Sequence, residues 1–114
     1  MTFKEIADMV DETGLPNAYH HFKKTGVAPP FICFFYGNNN DFTADDSNYQ
    51  KIEHLYIELY TDSKDIDLEA TVETVLKSHG MVWNRDEDWI GSERLYEVVY
   101  EMDVVITEEI RNAE

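Results

Sequence analysis

Glu97, Glu101 and Asp103 sit at even spacings in the segment from Arg94 to Thr107, where apolar and acidic residues alternate. On a β-strand such positions share one face, so these carboxylates would stand in line above a sheet. The segment from Lys51 to Thr61 alternates in the same way, and the chain has a formal net charge of −15. Paired carboxylates such as Glu97 and Glu101 perform acid–base chemistry only in a cleft that drives their pKa values apart. Periodicity supplies no cleft, so the expectation is an ordered acidic surface. Like charges stacked on one strand face repel and weaken the fold slightly, which asks for a use.

The other chemistry-bearing residues read as structural. His20 and His21 are adjacent, and neighbouring strand residues point to opposite faces, which makes them a poor chelating pair. His54 stands alone, and His79 suits the end of a helix. Cys33, the single cysteine, lies in the apolar run Phe31 to Tyr36, reads as a small buried residue, and suits a reducing cytoplasm. With no Gly-x-Ser-x-Gly turn in the chain, nucleophilic catalysis is not expected, and the protein reads as a non-enzyme. Asp41, Asp45, Asp46 and Asn48 resemble calcium-loop ligands but lack the glycine and terminal glutamate of such a loop, so a solvated loop is expected. No metal or cofactor is expected. Tyr56 and Tyr60 on an outer strand face, with Trp89 beside an acidic run, would form a protein contact patch if exposed together.

Around these residues the periodicity sets out an α+β domain, with one mostly antiparallel sheet of four to five strands and two helices packed on it. The whole chain, 1–114, reads as a single domain. Helices are expected over Thr2 to Thr13, with a Thr2/Glu5 capping box and Gly14 as stop, and over Ile66 to His79, with Leu68, Val72, Val75, Leu76 and His79 on the buried stripe. Ala18 to Phe22 reads as a short strand in a hairpin, and Phe31 to Tyr36 as a central strand covered on both faces. Gly37 to Asn48 has the makeup of a long exposed loop. Met81 to Asn84 reads as a short strand and Arg85 to Asp88 as an exposed turn. The last strand, about 40 Å long at ~3.3 Å per residue, is expected to project partly from its own subunit. Thr107 to Glu114 reads as a tail.

Composition bounds the function. The chain is 43% hydrophobic with seven Tyr, six Phe and two Trp, enough for a core despite the charge. Nine basic residues against 24 acidic ones disfavour binding to nucleic-acid backbone. The N-terminus has no signal-peptide pattern, and no apolar run approaches the roughly 20 residues that cross a bilayer.

Four motifs carry a resemblance that spans nearly the whole chain: Leu15-Pro16-Asn17-Ala18-Tyr19-His20-His21-Phe22, Ala28-Pro29-Pro30-Phe31-Ile32, Ile57-Glu58-Leu59-Tyr60-Thr61-Asp62 and Leu95-Tyr96-Glu97-Val98-Val99-Tyr100-Glu101. Together they resemble small head–tail joining proteins of phages and prophages of Gram-positive bacteria. The resemblance implies a tail terminator, or tail completion protein: an α+β subunit of a ring, usually a hexamer, that caps the tail tube and joins it to the head connector. Implied partners are further copies of the chain, the major tail protein and neck proteins, with assembly in the host cytoplasm and residence in the virion. Under that reading Glu97, Glu101 and Asp103 face the lumen, and Asp41, Asp45, Asp46, Tyr56, Tyr60 and Trp89 form contacts. The alternative is an acidic DNA mimic that inhibits a host nuclease or DNA-binding protein.

Overall fold

The computed structural model describes residues 1–37, 42–43 and 49–107. Among them are helix α1 (Phe3–Asp11), strands β1 (Asn17–Tyr19), β2 (Phe31–Gly37), β3 (Phe42–Thr43) and β4 (Tyr49–Thr61), helix α2 (Ile66–Ser78), and strands β5 (Asn84–Ile90) and β6 (Leu95–Ile106). The main sheet runs β1-β2-β4-β6-β5, with β3 paired to the start of β4. All described pairings are antiparallel except β1 with β2. The α+β reading of the sequence holds.

The helices form where their caps and apolar stripes coincide. Thr2 Oγ1 accepts from the Glu5 N–H at 3.0 Å, and Glu5 Oε1 accepts from the Thr2 N–H at 2.8 Å, so the capping box closes at both ends. Asp65 caps α2 by accepting from the Leu68 N–H at 3.0 Å. Gly14 and Gly80, at φ 78° and 74°, turn the chain away after each helix in a conformation that side chains disfavour. Ile6, Met9 and Val10 of α1 and Val72 and Leu76 of α2 are buried against Ile32, Leu55, Ile57, Leu59, Val98 and Tyr100 of the sheet. Replacing Thr2 with alanine removes one half of the capping box. The expected loss is about 1 kcal/mol, read as a lower urea midpoint at unchanged slope.

Several elements differ from the sequence reading, each for a reason of pairing. Asn17–Tyr19 forms no hairpin; it lies parallel to β2, with the Ile32 N–H donating to Pro16 O and the His20 N–H to Phe34 O. His20, at φ 70°, ends the strand before Phe22. Arg85 to Asp88 is no turn and Met81 to Trp83 no strand: β5 takes in the whole acidic run, because β6 offers it a partner from Leu95 to Glu101. Strand β2 is second from the edge rather than central, and the helices cover only one of its faces. Nor does β6 project, since every residue from Tyr96 to Ile106 has a partner on β4. Within the expected 37–48 loop, Phe42–Thr43 pairs with Tyr49 and Gln50, while the remaining residues of that loop beyond Gly37, and the tail beyond Thr107, lie outside the described residues. His79 is half-buried rather than core and meets Glu12 at 3.0 Å.

Candidate functional site: the sheet face opposite the helices

Register decides what shares the face opposite the helices. Reading across the strands, Phe35, Tyr56, Glu101 and Asn84 form one row; Ala18, Cys33, Glu58, Val99 and Asp86 the next; Phe31, Tyr60, Glu97 and Asp88 a third. His54 stands opposite Asp103 at the far end. The result is an aromatic stripe over β2 and β4 beside an acidic stripe over β6 and β5.

The aromatic stripe is tightly built. Phe35 stacks on Tyr56 with centroids 4.9 Å apart and 14° between planes, and Phe31 on Tyr60 at 5.1 Å and 28°. Gly37 lets the Tyr56 ring lie against the backbone, since a Cβ there would come within 3.1 Å of Tyr56 Cε2. Cys33 is buried on this face, outside the main core, and burial followed by the Glu58 charge pushes its thiol up, away from thiolate reactivity.

The acidic stripe is largely bonded to the aromatic one. Tyr60 Oη lies 2.9 Å from Glu58 Oε1 and 2.8 Å from Glu97 Oε2. A phenol has one hydrogen, so it donates fully to one carboxylate at a time. Burial first, and then the Glu97 charge, push Glu58 above the usual carboxylate range against the bond from Tyr60. Farther along, His54 Nδ1 meets Asp103 Oδ1 and Nε2 meets Glu101 Oε1, both at 2.8 Å. The bond to Asp103 and then that to Glu101 raise the imidazole's pKa. Beyond the Tyr60 end, a groove of about 690 Å³ lies between the 20–30 segment and the β5–β6 turn, lined by His20, Phe31, Glu58, Tyr60 and Glu93 among others.

The face thus brings together Glu97, Glu101, Asp103, Tyr56 and Tyr60. Trp89 does not join them: it pairs with Tyr96 and so shares the helix side with Arg85 and Glu87, half exposed at the edge. Asp41, Asp45 and Asp46 lie outside the described residues. His20 and His21 follow β1 instead of alternating within it, and their Nδ1 atoms come 3.0 Å apart, so one ring nitrogen donates and the other accepts. Among the described residues no three His, Cys, Asp or Glu side chains gather as a metal-holding group, and no helix is long and apolar enough to cross a membrane.

A second cluster escaped the sequence reading. Glu69 of α2, 3% exposed, accepts at Oε1 from Arg85 Nη1 at 2.7 Å and from Lys64 Nζ at 2.9 Å, while its buried Oε2 has no partner. Arg85 also reaches Glu73 and Glu87, Glu73 accepts from the Tyr100 hydroxyl, and Glu87 accepts from Lys64 and Tyr96. The i, i+4 spacing places Glu69 and Glu73 on one side of α2, and the fold sets that side against Arg85 of β5.

No protein-family model matches the chain, and no curated protein matches it in sequence. Among solved structures, a chain in the virion of a native gene transfer agent (GTA) particle aligns with a TM-score of 0.59 over 91% of this chain and 87% of that one, at 8% sequence identity. The likeness is one of fold. It reaches across nearly all of both chains, so the sheet and both helices belong to a shared arrangement.

Proposed function

We propose that this protein is a structural component of a virion, and more specifically a tail terminator of a long-tailed phage. In that role it forms a ring, a hexamer by resemblance, on the end of the tail tube and meets the head connector. The observation that carries the reading is the shared fold with a GTA virion chain over nearly the full length. The sequence motifs resembling head–tail joining proteins support the finer assignment. The proposal includes no catalytic role. The sheet face opposite the helices suits a lumen, because a negative surface lets DNA pass without adhering. It suits a DNA mimic less well, since Glu97, Glu101 and Asp103 are engaged by Tyr60 and His54 rather than held free in phosphate-like array.

The test is electron microscopy of tubes assembled from the major tail protein of the same genome, with and without this protein. Tubes of uniform length carrying an extra ring at one end are the expected result. Tubes unchanged in length, with bare ends, would overturn the assignment. A Glu97→Lys/Glu101→Lys variant is expected to cap tubes while retaining duplex DNA on a filter at salt concentrations where the wild type retains none; equal retention would remove these residues from the lumen.

A further inference from the structure

Strand β5 is the outermost strand on its side of the sheet, and its backbone direction can be followed residue by residue. Met1 donates its amine to Val105 O at 3.0 Å and accepts the Thr107 N–H at 3.0 Å, so the odd-numbered residues of β6 turn their backbone groups away from β4. Glu101, Val99, Glu97 and Leu95 therefore face Asn84, Asp86, Asp88 and Ile90. The amides of Arg85, Glu87 and Trp89 consequently point outward along an edge that no other described strand pairs with. Two of those three donors are taken: Glu87 N–H by Asp86 Oδ1 at 3.0 Å, and Trp89 N–H by Asp88 Oδ1 at 2.9 Å.

We propose that Asp86 and Asp88 are edge caps that keep a second copy of the chain from adding a strand to β5. An added strand would need its carbonyls on those same N–H groups, and each cap sets a side-chain oxygen where the incoming carbonyl oxygen would lie. Met1 closes the edge of β6 beyond β5 in the same manner, using both its amine and its carbonyl. Capping matters here because the edge also carries Trp89, 51% exposed, an apolar anchor that would reward edge-to-edge contact. The inference holds whether or not the protein forms a ring, since side-chain contacts can join subunits without strand addition.

Three proteins decide it: wild type, Asp86→Ala/Asp88→Ala, and Asp86→Asn/Asp88→Asn, the last keeping an acceptor oxygen without the charge. Amide exchange by NMR in dilute solution is expected to quicken roughly tenfold at Glu87 and Trp89 in the alanine variant, the loss of one hydrogen bond each. Light scattering is expected to show that variant associating with rising concentration while the asparagine variant keeps the wild-type state. An alanine variant with wild-type exchange and wild-type mass would overturn the proposal. So would an asparagine variant that associates as the alanine variant does, because charge and not capping would then guard the edge.

Discussion

Arg85→Ala is expected to lower the unfolding free energy by about 2 kcal/mol, far more than an edge-strand arginine ordinarily contributes. Its guanidinium is the nearest donor to the Glu69 carboxylate, which is almost fully buried and already leaves Oε2 without a partner. Breaking a buried pair by removing one partner costs roughly 3–5 kcal/mol. The expected value is smaller because the Arg85 side chain is 36% exposed and Lys64 still reaches Glu69 Oε1. The substitution also leaves Glu69, Glu73 and Glu87 around one remaining cation. Arg85→Lys is expected to recover only part of the loss, since an ammonium does not present the two-pronged fork that now spans three carboxylates. Arg85→Ala/Glu69→Leu is expected to recover most of it, because an apolar side chain in the Glu69 site leaves no charge to satisfy. Urea denaturation of the four proteins measures this, and an unchanged midpoint for Arg85→Ala would mean that the network adds nothing to the fold.

The second large effect is in pH. Both ring nitrogens of His54 face carboxylates at 2.8 Å, so both need hydrogens and the folded protein favours the imidazolium. Its folded pKa is raised above the ordinary 6.5 by the bonds to Asp103 and Glu101. A raised histidine contributes stability that is fully present below 6.5 and is lost as pH rises through the folded value. Glu58, raised above 4.5 mainly by burial, acts in the same sense at lower pH: its carboxylate form burdens the fold, and the burden lifts as pH falls through its folded pKa. Glu87 opposes at the acid end, because the bonds from Tyr96 and Lys64 lower its pKa and the stability it contributes is lost as pH drops below 4.5. Maximal thermal stability is therefore expected in mildly acidic buffer, between 4.5 and 6.5. Tm should decline above that window. His54→Gln is expected to flatten the decline on the alkaline side and leave the acid side unchanged, and a wild-type Tm that stays level from mildly acidic to alkaline pH would exclude the histidine's role.

Alternation and caps were legible in the residues because they are local. A strand with one buried face repeats every second residue whatever lies beside it, so the two faces of β4 and of β6 could each be sorted from sequence, with Tyr56 and Tyr60 on one side of β4 and Glu97, Glu101 and Asp103 on one side of β6. The Thr2/Glu5 box likewise involves residues three apart. What reads poorly is whatever depends on a partner far along the chain. Arg85-Asp86-Glu87-Asp88 has the composition of a turn, and only the presence of β6 alongside makes it a strand whose carboxylates cap their own edge. Glu69 reads as one of the acidic residues at the start of its helix, and its burial between Lys64 and Arg85 depends on β5 lying alongside.

The sequence by itself determined the fold class, both helices with the capping box of the first, and the acidic and aromatic character of one sheet face, since these follow from periods of two and 3.6 and from nearest-neighbour hydrogen bonds. Tertiary structure alone decided the parallel seating of β1, the extent of β5, the full pairing of β6, the joining of the carboxylates to Tyr60 and His54, and the closing of the sheet edge. Each of these rests on register between distant segments, and register is settled by the sum of contacts across the sheet rather than by any residue's own preference.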